Sequence, residues 1–173
     1  MCPTKRSSQP STLLMPIDLY TLLTSKCWVA DPWLARRKKT MIQGGCTCGN
    51  VRYELRGAPS NIVDCHCADC RRSSGAAFIT WGSVERKNIR LLSGEIKKVS
   101  VASRIRCFAA CCGSPLILED SVDADPVEIT IGTLDHPEAF PTTKITWLED
   151  RLPWVTIDQS LPKFQRGSQS AQL

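Results

Sequence analysis

Eight of the ten cysteines fall into three short clusters in the middle of the chain. The clusters are Cys46 and Cys48; Cys65, Cys67 and Cys70; and Cys107, Cys111 and Cys112. In extended backbone, residues i and i+2 point to the same side, so each Cys-x-Cys pair can present two sulfurs to one ion. The Cys-x-x-Cys spacing that follows Cys67 bends the chain and brings in a third sulfur. Because thiolates are soft ligands, these spacings predict zinc rather than calcium or magnesium.

Other roles for the cysteines fit the sequence less well. A disulfide-rich secreted module would be shorter than 173 residues and would follow a signal peptide, and none is evident. Cysteines that only fill a core would not fall into Cys-x-Cys spacings. A thioredoxin-like redox motif needs a βαβ pattern that the sequence does not show. His66 lies between Cys65 and Cys67, so we expect its side chain to face away from theirs and not to bind the metal.

The loop that contains Cys65, Cys67 and Cys70 supplies three ligands, whereas zinc prefers about four. A structural zinc site is closed by a fourth protein ligand, and a catalytic site keeps that position open. No fourth cysteine or suitably placed histidine lies in this loop. The loop therefore predicts a zinc ion with an open position, which indicates chemistry.

Short β-strands are expected to position these clusters. The runs VRYEL, AAFITWG, EIKKVSVAS, SPLILE, VEITIGTL and KITWLE are rich in β-branched and aromatic residues and are separated by Gly, Pro, Asp or Ser. No long amphipathic helix is evident, and at most one or two helical turns fit ADCRRSSG and DHPEAF. We therefore predict a mainly β protein with a single domain over residues 41–165.

The two ends of the chain differ from this domain. Residues 1–40 contain KRSSQPS and ARRKK and no sustained periodicity, which predicts a poorly ordered extension with Met41 as an alternative functional start. Residues 166–173 are expected to form a solvated tail. The net charge of +5 is modest, and no apolar run is long enough to cross a bilayer. These features predict a cytoplasmic protein that does not bind membranes.

Four motifs resemble the glutathione-dependent formaldehyde-activating enzyme family, whose domain also occurs in centromere protein V. They are GGCTCGNVRYEL, CHCADCRRSSGAAFITW, CCGSPL and LPWVTIDQSLPKF, in the family's order, and they span residues 44–164. The resemblance implies the zinc-containing Mss4-like fold of short antiparallel strands, which agrees with the strand pattern.

The resemblance also implies two zinc sites, so one to two zinc ions per chain are expected. The catalytic zinc falls on Cys65, Cys67 and Cys70, and the structural zinc falls on Cys46, Cys48 and Cys112. The family's fourth structural ligand corresponds to Ala109, which cannot bind metal. Cys107, two residues earlier, and Cys111, adjacent to Cys112, are the candidate replacements. Complete loss of this metal is the third alternative.

The activity that the resemblance implies is the condensation of glutathione with formaldehyde to S-hydroxymethylglutathione, classed in reverse as carbon–sulfur lysis. A zinc ion bound by three thiolates would hold the glutathione sulfur deprotonated as a nucleophile. Arg71, Arg72 and Lys144 are candidate partners for the glutathione carboxylates, although a solvated basic face explains the arginines equally well. Lys144 stands where family members commonly have a histidine.

Two alternatives to an enzyme remain open at the level of sequence. The first is a non-catalytic binding module in which both zinc ions are structural. The second is a thiol-redox protein that cycles two of Cys107, Cys111 and Cys112. Nucleic acid is not expected as a partner, because the core carries no dense basic stripe interleaved with aromatic residues.

Overall fold

Ten short strands and one α-helix form the part of the chain described by the computed structural model, residues 41–173. The predictions made for residues 1–40 lie outside the described residues. The strands are β1 (Ile42–Gly45), β2 (Arg52–Leu55), β3 (Ser60–Cys65), β4 (Ile79–Val84), β5 (Ile89–Ser93), β6 (Ile96–Val101), β7 (Arg104–Ala109), β8 (Pro115–Glu119), β9 (Val127–Thr130) and β10 (Lys144–Thr146). The helix α1 spans Ala68–Ser74, and short 3₁₀ turns occupy Arg86–Asn88, Ile131–Thr133, Pro137–Ala139 and Leu148–Asp150.

The strands form two sheets. The smaller sheet has the order β1-β2-β5, and the larger has the order β10-β3-β4-β9-β8-β7-β6. Every pair is antiparallel except β10 with β3, which run in parallel. The prediction of a mainly β, antiparallel-rich domain is therefore confirmed.

The helix α1 follows β3 directly and has a clear start and end. Cys67 is its N-cap, and the Cys67 sulfur accepts a hydrogen bond from the Cys70 amide at 3.3 Å. Gly75 ends the helix in the left-handed conformation, with φ of 69°, and its amide donates to the Arg71 carbonyl. Glycine adopts this conformation without steric cost, so a two-turn helix closes here. This helix lies where the sequence predicted one or two turns.

Buried side chains form two clusters. The first lies where the two sheets meet and includes Leu55, Leu116 and Ile129. The second contains the three cysteines of residues 65–70 together with Val63, Ile79, Trp81 and Leu118. The predicted catalytic loop is therefore part of a packed core and not an exposed connection.

The C-terminal segment pairs with β10 and the turn after it. Lys163 bridges Ile145 in parallel, and the Trp147 amide donates to the Arg166 carbonyl at 2.9 Å. The Arg166 guanidinium also contacts the Glu149 carboxylate at 2.7 Å. The domain limits at residues 41 and 165 stay predictions, but residues beyond 165 contribute to the structure around β10. Within residues 41–173, no helix is long and apolar enough to cross a membrane.

Glu119 at the end of β8 is a buried carboxylate held by two cations. The Arg86 guanidinium lies 3.1 Å from it and the Lys98 ammonium 2.9 Å, and the Glu119 side chain is only 4% exposed. The hydrogen bond from Arg86, reinforced by Lys98 and opposed by burial, lowers the pKa of Glu119 to about 2. The ionised form is therefore the one that the fold stabilises.

We expect this network to govern acid stability. Because the pKa of Glu119 is lower in the folded chain than in the unfolded chain, its contribution is present above about pH 4.5 and is lost as the pH falls towards 2. That contribution is about 3 kcal/mol by linkage. Glu119→Gln should lower the free energy of unfolding at pH 7 by roughly this amount and flatten its dependence on pH below 4.5. Denaturant unfolding across the pH range tests this, with the exposed Glu95→Gln as control. An unchanged acid profile in Glu119→Gln would contradict the prediction.

Candidate metal centres and the adjoining cavities

The three cysteines of the predicted catalytic loop converge on one point, and we call this group the inner centre. Cys65 ends β3, Cys67 caps α1 and Cys70 lies in the first turn of that helix. Their sulfurs all lie within 4.8 Å of one another, and the residues are 7%, 5% and 1% exposed. The strand end and the helix start bring together three ligands that are close in sequence, as the spacing predicted.

The inner centre favours negative charge on Cys70. Its sulfur accepts hydrogen bonds from the thiols of Cys65 and Cys67, and the Trp81 indole donates to it at 3.4 Å. These contacts hold the pKa of Cys70 well below its usual range, against the opposing effect of burial. Hydrogen bonding to its neighbours and burial raise the pKa of Cys65. The centre therefore holds a thiolate within a core that is otherwise apolar.

A second group of four sulfurs, which we call the outer centre, joins the loop after β1 to the turn between β7 and β8. Its members are Cys46, Cys48, Cys111 and Cys112, and each offers a sulfur within 4.8 Å of the others. Cys48 and Cys111 lie 3.2 Å apart, and Cys46 and Cys111 lie 3.7 Å apart. Cys46 is buried and the other three are exposed. Hydrogen bonds from Ser114 lower the pKa of Cys112 to about 6.

Cys111 and not Cys107 is the residue that completes the outer centre. Cys107 lies within β7, is buried, and directs its sulfur towards Glu119 at 3.6 Å. Cys111 and Cys112 follow the strand in a tight turn, in which Gly113 has a φ of 75° and its amide donates to the Ala109 carbonyl. Neighbouring side chains in a turn do not alternate as they do in a strand, so both sulfurs can face the same point. Ala109 itself is buried in the first core cluster.

Both groups suit zinc by donor chemistry. Tetrahedral zinc with sulfur at about 2.3 Å requires sulfurs about 3.8 Å apart. The separations in the outer centre are close to this value, and the inner sulfurs are near enough to share one ion. The two groups differ in number, because the outer centre has four sulfurs and the inner centre has three among the described residues. Either group could hold a metal ion, and only the inner one would leave a position without a protein ligand.

Two cavities adjoin the inner centre. One, of about 140 Å³, is lined by Cys65 and Cys70 and by residues of several strands and the C-terminal segment, among them Asn61, Glu128, Gly167 and Ser168. The other, of about 310 Å³, is lined by Cys67, Asp69, Ser103 and Asp150. Arg104 and Trp147 line both. The inner centre is therefore accessible to a small molecule from the side on which these two residues lie.

Trp147 adopts a backbone conformation that is rare for its residue type. Its φ and ψ are 59° and 47°, in the left-handed region that disfavours side chains larger than hydrogen. The chain on both sides holds it there, because its amide donates to Arg166 and its carbonyl accepts from Asp150. Its side chain packs against the second core cluster, which contains the inner centre. Such strain concentrates at functional sites, and here it places an indole between the two cavities.

The basic residues that sequence analysis suggested as glutathione contacts lie elsewhere around the centre. Arg71 is half-buried and donates to the carbonyl of His66 at 3.2 Å, and Arg72 is exposed. The Lys144 ammonium lies over the ring of Phe164, 5.9 Å from its centroid. None of the three lines either of the cavities beside the inner centre. The His66 ring packs on Phe78 with centroids 5.1 Å apart and is not a member of the sulfur group.

Sequence reasoning did not identify Arg104, Arg106, Trp147 or Glu128. Arg106 is 6% exposed, and its guanidinium donates to Ser73 of α1 at 2.9 Å. An arginine at alternate positions of a strand, as in RIR, is a weak signal that one of the two faces inward. Nothing in the sequence marked Glu128, which lies in an alternating strand and resembles any solvent-facing acid.

The comparisons with known proteins bear on the family. A crystal structure of a Rhodobacter sphaeroides protein is similar with a TM-score of 0.47 and 18% identity, over 58% of this chain and 96% of that chain. Curated proteins gave no match. The family described as glutathione-dependent formaldehyde-activating enzyme matches residues 41–150, which include every cysteine of both centres. The chain therefore belongs to the glutathione-dependent formaldehyde-activating enzyme family.

Proposed function

We propose that the chain binds glutathione at the inner centre and condenses it with formaldehyde to S-hydroxymethylglutathione, a reaction classed in reverse as carbon–sulfur lysis. The observation that carries the proposal is the difference between the two centres. Four sulfurs converge on the chain's surface, whereas three converge beside a cavity. Family membership supports glutathione and formaldehyde as the substrates.

Zinc is the metal that we propose for both centres, held by Cys65, Cys67 and Cys70 in one and by Cys46, Cys48, Cys111 and Cys112 in the other. At the inner centre it would supply a fourth coordination position that accepts a thiol and lowers its pKa. The protein's own contribution is to keep three sulfurs together in an apolar core, with the Trp81 indole oriented towards Cys70.

The cavity walls indicate how the rest of glutathione would be bound. Arg104 is 35% exposed, lines both cavities and pairs with Asp120 at 3.1 Å. We propose that Arg104 receives a glutathione carboxylate, in place of Arg71, Arg72 and Lys144, because none of those three lines a cavity at the centre. Arginine suits this role because its planar guanidinium matches a carboxylate with two parallel hydrogen bonds. Trp147 would offer an apolar surface to the peptide backbone and exclude water from the sulfur.

A titration with two ligands tests this proposal. Glutathione should bind the zinc-loaded protein at least about 100-fold more tightly than S-methylglutathione, a difference of about 2.7 kcal/mol. The two ligands carry the same carboxylates and ammonium, but the thioether cannot ionise and is a far poorer ligand for zinc. Isothermal calorimetry at constant pH measures both affinities.

Equal affinity for the two ligands would contradict the proposal. It would mean that the sulfur makes no special contact and that the inner centre is a closed structural site. The alternative of a non-catalytic binding module of the same family would then account for the chain. The cytoplasmic location stays a prediction.

A further inference from the structure

The smaller cavity beside the inner centre contains a buried carboxyl group that the proposed function does not use. Glu128 lies on β9 and lines the same cavity of about 140 Å³ as Cys65 and Cys70. Its Oε1 accepts a hydrogen bond from the Ser83 hydroxyl at 2.8 Å. Its Oε2 is buried and has no hydrogen-bond partner within residues 41–173. A buried carboxyl oxygen without a partner is costly, so its persistence beside a cavity points to a group that is supplied by a ligand.

A chain of hydrogen bonds fixes the orientation of this carboxyl group. The Asn61 amide donates to the Ser83 hydroxyl at 3.2 Å, and that hydroxyl donates to Glu128. Asn61 also lines the cavity and has a φ of 50°, in the left-handed region that asparagine tolerates better than most residues. One oxygen of Glu128 is therefore held on the side of the sheet, and the other is left for the cavity.

The surroundings of Glu128 favour its neutral form. Burial raises its pKa, and the hydrogen bond from Ser83 only partly opposes this. Asp120 raises the pKa further and Lys144 lowers it. The other carboxylate in the cavity wall, Asp120, is 70% exposed and is paired with Arg104, so it is a poor proton donor to a molecule inside. A carboxylic acid that stays protonated closer to neutral pH is suited to general acid catalysis.

We propose that Glu128 is the acid–base residue of the thiol–carbonyl reaction, an inference that rests on the proposed function. The thiolate sulfur attacks the carbonyl carbon, a carbon–sulfur bond forms, and the π electron pair moves to the oxygen. The Glu128 carboxyl transfers its proton to that oxygen and gives the hydroxymethyl thioether. The proton released when the thiol ionised then restores the carboxyl group. In the reverse direction the carboxylate removes the hydroxyl proton as the carbon–sulfur bond breaks.

The test compares exchange rates in zinc-loaded, full-length protein. NMR exchange spectroscopy measures the interconversion of glutathione plus formaldehyde with S-hydroxymethylglutathione, after subtraction of the uncatalysed rate. Glu128→Gln should reduce the protein-catalysed rate by about 100-fold or more, the usual contribution of a general acid. It should leave glutathione affinity unchanged by calorimetry, because glutamine keeps an acceptor for Ser83. Glu128→Asp, which retains the acid, should retain more activity than Glu128→Gln, and Glu138→Gln on the exposed surface is the matched control.

Each outcome has a distinct meaning. A wild-type exchange rate in Glu128→Gln overturns the role of Glu128 and leaves the proposed function intact. Loss of glutathione affinity together with the rate also overturns it, since Glu128 would then act in binding. No acceleration by the wild-type protein overturns both the proposed function and this inference.

Discussion

Cys111→Ser is expected to remove one of two zinc ions, whereas Cys107→Ser is expected to remove none. The wild-type protein, purified without chelator, should contain about two zinc ions per chain. Serine at position 111 leaves the outer centre with three sulfurs, two of them exposed, and a hydroxyl that binds zinc weakly. Elemental analysis together with a thiol count measures the change directly. Two zinc ions in Cys111→Ser, or one in Cys107→Ser, would contradict this assignment.

The loss of zinc at the outer centre should also lower stability. The centre ties the loop after β1 to the turn after β7, since Cys46 and Cys111 are 65 residues apart in sequence. Cross-linking such distant segments stabilises mainly by restricting the unfolded chain. We expect the Tm of Cys111→Ser to fall by on the order of 10 °C, as a loss of several kcal/mol would produce in a chain of this size. Addition of a strong chelator should lower the wild-type Tm at least as far, and should change the variant less.

Cys67→Ser should abolish the preference for glutathione over S-methylglutathione while the β-core stays folded. The substitution leaves two sulfurs at the inner centre, and loss of a zinc ligand weakens metal binding by at least about 100-fold. The helix α1 should persist, because a serine hydroxyl can accept the Cys70 amide hydrogen bond as the Cys67 sulfur does. Calorimetric titration of the variant with both ligands, with circular dichroism as the check on folding, measures both effects.

Cys48→Ser is the matched comparison, because it removes one sulfur from the other centre. It should lower the Tm more than Cys67→Ser and should keep the preference for glutathione in the fraction that remains folded. The reason is that the outer centre borders neither of the two cavities beside the inner one. Retention of the glutathione preference in Cys67→Ser would place thiol binding outside the inner centre.

Several features of this protein follow from the sequence alone. The spacing of Cys65, Cys67 and Cys70 forces their sulfurs together, because an i, i+2 pair on a strand and a helical turn are local geometry. Alternating apolar residues predicted the β character, and the family motifs predicted the family, and both are confirmed. Glycine, aspartate and proline between the runs marked where the strands end. All of these depend on residues a few positions apart.

The tertiary structure decided what depends on distant segments. Whether Cys107 or Cys111 completes the outer centre depends on where β7 ends and the turn begins, and no propensity sets that boundary to a single residue. Glu128, Arg104 and Trp147 come from three different strands or turns and meet at the inner centre only because the larger sheet orders its strands as it does. The same packing directs Arg71 and Lys144 to His66 and Phe164 and away from the cavities. A side chain's neighbours across a sheet are set by strand order and register, which the burial of the whole core selects.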